Sequence, residues 1–382
     1  MRMPVFRRAK RWLALLSLLS LSSILLAACG ENSPSILDTS GPVAASESSL
    51  FWLILIISVI IFVLVEGILI FSIIRYRERP GAPNPFQNHG NLKLELVWTV
   101  IPTLVLFVIL FFTIRGLLYV APENEPAASA SQPKIEVTAI GHQWWWEFYY
   151  PNYHVTTADT LEVPVNTTVH VNLFSNNVIH SFWVPALTGK TDVVPGHNNT
   201  KWFVAEKAGT YTGICAEYCG TQHANMRFNV KVVNNNDFQS WVSTQQQAAA
   251  APTDPLAQKG AALFKNQCSS CHGIVGVNLK QFYNTAQECT DLPGGKANGT
   301  PECLIGPNLT HFGSRNLLAG GVLDNNTANG NCDPNNPNLM QQCNLAKWLK
   351  DPQGVKPGND MNIGELTNDQ IQQLVAYLEG LK

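Results

Sequence analysis

Cys215-Ala216-Glu217-Tyr218-Cys219-Gly220-Thr221-Gln222-His223-Ala224-Asn225-Met226 sets two thiols, an imidazole and a thioether in one short stretch. Soft sulfur combined with imidazole selects copper or zinc over hard cations. A single blue-copper site uses one thiolate, two imidazoles and a weak axial sulfur, so the second cysteine is available to bridge a second copper. Another imidazole is then needed, and His180, in His180-Ser181-Phe182-Trp183-Val184-Pro185, is the natural candidate. Two plainer readings compete. A Cys215–Cys219 disulfide leaves His223 and Met226 unexplained, and a zinc site makes poor use of a methionine.

Around this stretch, from Lys134 to about Val233, short β-branched and aromatic alternations are broken by turn residues, as in Thr168-Val169-His170-Val171-Asn172-Leu173. That pattern predicts a compact antiparallel β-sandwich. Together with the ligand set it resembles the dinuclear copper domain of cytochrome oxidase subunit II, a cupredoxin-like fold, here over residues 134–243. The resemblance implies bridging thiolates at Cys215 and Cys219, terminal imidazoles at His180 and His223, and a weak thioether ligand at Met226. It implies that Glu217 ligates copper through its backbone carbonyl, while its carboxylate reaches a magnesium ion shared with subunit I.

Gln143-Trp144-Trp145-Trp146-Glu147 resembles the family's aromatic strip beside the copper, with Trp144 where the electron is admitted and Trp145 where the family commonly has tyrosine. Three consecutive residues cannot all face inward on a strand, so core packing alone does not account for the run. Leu94-Glu95-Leu96-Val97-Trp98-Thr99-Val100-Ile101-Pro102 resembles the second-span motif whose glutamate, here Glu95, sits at the cytoplasmic mouth of a proton channel. Without that resemblance Glu95 reads as a solvated carboxylate favoured by the start of a helix.

A Gln-, Ala- and Pro-rich linker at residues 244–254 precedes a second exported domain, residues 255–382. Leu256, Gly260, Leu263 and Phe264 open it, and Ile371, Leu374, Val375 and Leu378 close it, both at helical spacing. Thr367 and Gln370 have capping-box spacing for the closing helix. Cys268-Ser269-Ser270-Cys271-His272 has the spacing at which two thiols add to haem vinyl groups and the next imidazole meets the iron. A zinc site would want a second ligand pair, and a redox dithiol a βαβ context. An axial methionine is then expected. Met361, just before the closing helix where class I cytochromes c place their ligand, is favoured over Met340. Gly306-Pro307-Asn308-Leu309 resembles the segment whose proline carbonyl orients the axial histidine. The tail is thus read as an all-α class I cytochrome c domain with one covalent haem c. Its insertion from about Cys289 to Cys343 has no evident purpose.

The remaining cysteines, Cys289, Cys303, Cys332 and Cys343, are even in number, as disulfides require, and proximity favours Cys289–Cys303 and Cys332–Cys343. At the N-terminus, Arg7, Arg8, Lys10 and Arg11 precede an apolar run to Ala28, a signal over residues 1–28. Leu26-Ala27-Ala28-Cys29 resembles the bacterial lipobox, which implies a lipid on Cys29. Apolar stretches from about Leu50 to Ile74 and Leu96 to Leu118 are each long enough to cross a bilayer. Arg75, Arg77, Arg79 and Lys93 lie between them, so the 50–118 hairpin turns in the cytoplasm and both centres stand outside the plasma membrane of a bacterial cell. Glu66, within the first span, reads as a polar contact with a neighbouring subunit.

A net charge of -2 without a basic stripe disfavours nucleic-acid binding. The motifs together resemble a caa-type oxidase subunit II. That resemblance implies electron flow from an external donor, cytochrome c or another small redox protein, through haem and dinuclear copper (CuA) to subunit I among the other oxidase subunits. There oxygen is reduced with coupled proton translocation. A quinol oxidase subunit would keep the fold and lose the copper ligands. An exported copper carrier or assembly factor, the alternative of another class, would have no use for a covalent haem.

Overall fold

The computed structural model describes residues 34–77, 80–81, 90–129, 132–279, 306–325 and 332–382, with Ser17 and Ser20. Cys29, Cys289 and Cys303, and with them the expected lipid site and first disulfide, lie outside the described residues. Residues Ile36 to Lys382 form one unit.

Two long helices come first, α1 (Pro42–Arg75) and α2 (Leu92–Val120). Their outward side chains are apolar along most of their length, which suits hydrocarbon surroundings. Helix α1 starts well before Leu50, because its first turn is not a lipid-facing one: Val43 and Ala44 are buried, with Val43 against Trp202 and Val204. The far end of α2 reaches the same place. Tyr119 meets the Trp202 ring edge-on at 6.1 Å, and Trp202 Nε1 donates to Ala121 O at 3.2 Å. The N-terminal end of α1 and the C-terminal end of α2 are therefore fastened to one tryptophan. Just beyond, Glu125 Oε2 accepts from Lys134 Nζ at 3.0 Å and from His170 Nδ1 at 2.8 Å.

Ten strands follow: β1 (Lys134–His142), β2 (Trp145–Tyr150), β3 (Val155–Ala158), β4 (Thr160–Pro164), β5 (Thr168–Ser175), β6 (His180–Val184), β7 (Thr188–Val193), β8 (Asn199–Val204), β9 (Gly209–Cys215) and β10 (Arg227–Val233). They build two five-stranded sheets, ordered β3-β2-β1-β5-β8 and β4-β10-β9-β6-β7. The sandwich is not wholly antiparallel as expected. β1 runs parallel to β5, and β4 parallel to β10. Alternation reports which face of a strand is buried and carries no information about its direction, and here the chain leaves each sheet and returns to it. Trp146, Phe148, Phe182 and Phe228 fill the space between the sheets, with Phe182 and Phe228 stacked at 4.9 Å.

Helix α3 (Asn235–Gln245) lies on the sandwich through Phe238 and Val242, and an irregular segment leads to α4 (Pro255–Gln267). The tail continues with the short pair β11 (Leu317–Leu318) and β12 (Leu323–Asp324), then α5 (Pro337–Gln342), α6 (Asn344–Lys350), α7 (Pro352–Val355) and α8 (Asn368–Glu379). Helices α4 and α8 cross with Phe264 against Tyr377 at 5.8 Å, and the Thr367–Gln370 capping box is present. Cys332 and Cys343 are joined by a disulfide.

The tail is docked on the sandwich through buried charge. Asp159, in the bend between β3 and β4, accepts from Trp146 N at 2.9 Å, and the tail's Lys356 and Arg315 are close enough to stabilise its anion. Burial nevertheless raises its carboxyl to about 6. A folded-state value above the unfolded one means that the folded protein holds this proton more tightly. The group's favourable contribution is complete below 3.8 and is lost as pH rises to about 6. Denaturant unfolding followed by tryptophan fluorescence should therefore show wild type losing roughly 3 kcal/mol relative to Asp159→Asn across that window. Parallel stability profiles for the two proteins would contradict this.

Candidate metal centres

Strand β9 delivers Cys215 to one rim of the sandwich, and neighbouring β6 begins there with His180. The chain then loops through Cys219 and turns at His223–Asn225 before β10, which brings Met226 back to the same rim. Cys215 Sγ lies 3.8 Å from Cys219 Sγ and 3.9 Å from His180 Nδ1. Cys219 Sγ lies 3.7 Å from His223 Nδ1 and 3.8 Å from Met226 Sδ. The Glu217 carbonyl is 3.2 Å from Cys215 Sγ. All six residues named from the sequence thus meet around two sulfurs, with one imidazole beside each. His180 and Met226 are fully buried and both thiols nearly so.

These separations exceed a disulfide bond of about 2.05 Å. They suit shared metal: two sulfurs each ~2.3 Å from one ion at a tetrahedral angle stand about 3.8 Å apart. The electrostatics agree. The Cys215 thiol is pushed well below its ordinary value by the hydrogen bond from Cys219 and, more weakly, by His180. Cys219 is pushed far up by that same bond and by burial. One proton therefore stays between two sulfurs unless a cation replaces it.

The strip sits directly beside this rim. Trp144 Nε1 and Gln143 Nε2 both donate to Cys219 O, at 3.0 and 2.7 Å. Trp144 and Trp146 are buried, whereas Trp145 is half-buried and stacks on His142 at 4.2 Å. His142 Nδ1 accepts from Asn176 Nδ2 at 3.0 Å, which leaves its Nε2 proton for Glu147 Oε2 at 3.1 Å. Gly141 is required by the site: a Cβ there would stand 2.7 Å from the His180 ring.

In the tail, helix α4 ends at Cys268, and the following turn presents Cys271 and His272. These three and Met361 line one cavity of about 1010 Å³, walled by Leu309, Phe312 and Trp348. Met340 is not on its wall but packs in the domain core. His272 Nδ1 donates to Pro307 O at 2.9 Å, which leaves Nε2 unprotonated. Burial lowers the imidazole's pKa and keeps it neutral, as an iron ligand must be. Cys268 and Cys271 are free thiols, and burial raises Cys268 to about 11. The donor set and the apolar walls fit a haem. Trp144 and Trp145 line the same cavity from the sandwich side.

Glu95 lies far from both centres in the chain, in the first turn of α2. Its Oε1 accepts from Asn91 N at 3.3 Å, closing the helix start. Sequence reasoning missed Asp159, Arg315 and Lys356, since isolated charges between motifs read as solvated surface. It also missed the His142–Glu147 pair, although their separation across a tight strand turn was a usable signal.

Three family profiles match the chain: "Cytochrome C oxidase subunit II, transmembrane domain" over residues 32–115, "Cytochrome C oxidase subunit II, periplasmic domain" over 155–233, and "Cytochrome c" over 257–382. Cytochrome c oxidase subunit 2 of Alkalihalophilus pseudofirmus is 33% identical over 384 residues, covering 100% of this chain and 99% of that one. The protein of the same name from Bacillus sp. strain PS3 is 36% identical over 382 residues, covering 96% and 97%. Among solved structures, the periplasmic domain of subunit II of cytochrome oxidase from Bradyrhizobium japonicum is 33% identical, with a TM-score of 0.30, covering 32% of this chain and 96% of that one. Because the likeness runs through hairpin, sandwich and tail alike, the chain belongs to the cytochrome c oxidase subunit 2 family, in the form that continues into a cytochrome c domain.

Proposed function

We propose that this subunit takes electrons from an external donor onto a covalent haem in its tail and relays them through dinuclear copper to subunit I, where oxygen is reduced with coupled proton translocation. The observation that carries the reading is that two ligand sets sit in one unit, with Trp144 bonded beside one and lining the cavity of the other. Its indole nitrogen bonds Cys219 O, and its side chain lines the cavity that holds His272 and Met361.

Cys215 and Cys219 would bridge two coppers, with His180 and His223 at the ends, and Met226 and the Glu217 carbonyl as weak ligands. Cys268 and Cys271 would carry the thioether bonds, with His272 and Met361 on the two sides of the iron. Bound there, the metals supply one-electron redox chemistry. The protein's part is to hold donors still. Burial of His180, Met226 and both thiols excludes water, and the Pro307 carbonyl fixes the His272 tautomer and ring orientation. Half-buried Arg315 gives the cavity a positive wall suited to the carboxylates that haem bears.

At the boundary with subunit I, the Glu217 carboxylate would reach a shared magnesium ion. Glu95 would stand at the cytoplasmic mouth of a proton path, with Arg75, Arg77 and Lys93 on that side of the membrane. The sandwich and tail would then face outward from the plasma membrane.

Optical and paramagnetic spectra of the native complex should show a c-type haem band and an electron shared over two coppers. A mononuclear copper signal, or no c-type band, would sink the reading. The double change Cys268→Ala with Cys271→Ala should leave no haem on the denatured polypeptide. Met361→Ala should lower the haem reduction potential, because thioether ligation raises it, and Met340→Ala should not. Equal shifts in redox titration would move the axial ligand away from Met361.

A further inference from the structure

Lys356 belongs to neither ligand set, yet it is 3% exposed and its ammonium is given over to backbone carbonyls. Nζ donates to Trp144 O at 2.6 Å, to Ala319 O at 2.6 Å and to Asn225 O at 3.1 Å. That uses all three donors an ammonium has. The carbonyls come from three separate segments: the β1–β2 turn with the tryptophan strip, the residue before Met226, and the β11–β12 turn of the tail. Lys356 itself precedes Met361 in the loop that lines the other side of the haem cavity.

A buried lysine is costly, and burial lowers this one to about 8 despite the nearby Asp159. Asp159 is in turn tied to Trp146 N. Adjacent bonds run between the same partners. Gln222 Nε2 donates to Pro357 O at 2.8 Å, and Arg227 N donates to Gly320 O at 3.0 Å. An apolar contact tolerates sliding, whereas one cation converging on three carbonyls is satisfied in a single arrangement.

We propose that Lys356 is the positioning residue of the intrachain electron path, locking the tail's methionine loop against Trp144 and the Met226 end of the copper loop. The inference rests on the relay proposed above. Lys356 takes up no electron and gives up no proton. It fixes the separation and contact of the two centres, on which the transfer rate depends.

The test is transfer from haem to copper in the intact oxidase after flash reduction of the haem, in wild type, Lys356→Met and Lys356→Arg. Methionine loses the donors. Arginine keeps the charge but spreads its donors over a planar fork that cannot converge on three carbonyls. Both variants should slow the step about tenfold or more, as small misplacements of reacting groups do. The difference in reduction potential between the centres and their spectra should be unchanged. Rates within about twofold of wild type overturn the proposal, as does slowing that follows an altered potential difference. Full recovery by arginine also overturns it, since charge and not position would then be operative. If Lys356→Met does not assemble, Lys356→Arg decides alone. Absence of transfer in wild type would instead overturn the relay itself, and this inference with it.

Discussion

Two buried thiols 3.8 Å apart are the constraint around which the sandwich rim is arranged. Left to themselves they share one proton, and the second ionisation is opposed both by burial and by the charge beside it. A cation lying between them relieves this, and the imidazoles and thioether gathered at the same rim suit one. Everything near it serves that need. β9 and β6 bring a thiol and an imidazole together across a strand pair, and Gly141 makes room for the ring. The indole of Trp144 and the amide of Gln143 hold the Cys219 carbonyl from outside.

The tail repeats the logic with a different ligand. Its helices α4 and α8 cross to make a small core, but the space between Cys271, His272 and Met361 is left as a cavity. Its walls combine apolar side chains such as Leu309, Phe312 and Trp348 with sandwich residues Trp144 and Trp145, so the cavity belongs to both domains.

What could be read in the sequence was mostly what is local. Cys215 to Met226 and Cys268 to His272 announce themselves because the ligands are near neighbours in the chain, and turn geometry alone brings them together. Met361 required family resemblance, and His180 was reached only through the need for another imidazole, because the sheet and the tail fold, not spacing, deliver them. Strand direction was misread, since alternation is the same for parallel and antiparallel partners. Lys356 was invisible for a physical reason. A lysine is ordinarily solvated, and nothing near it in the chain reveals three carbonyls from distant segments.

The covered position of Trp144 bears on kinetic order. Its side chain is 9% exposed and opens onto the tail's cavity, so a soluble protein could reach that face only after displacing the tail. A partner fused in place replaces a collision with a first-order event, at an effective concentration set by docking and not by supply. In the proposed relay, scarcity of a diffusing carrier, or a salt concentration that weakens its encounter, acts upstream of this junction and leaves the junction's own speed unaltered.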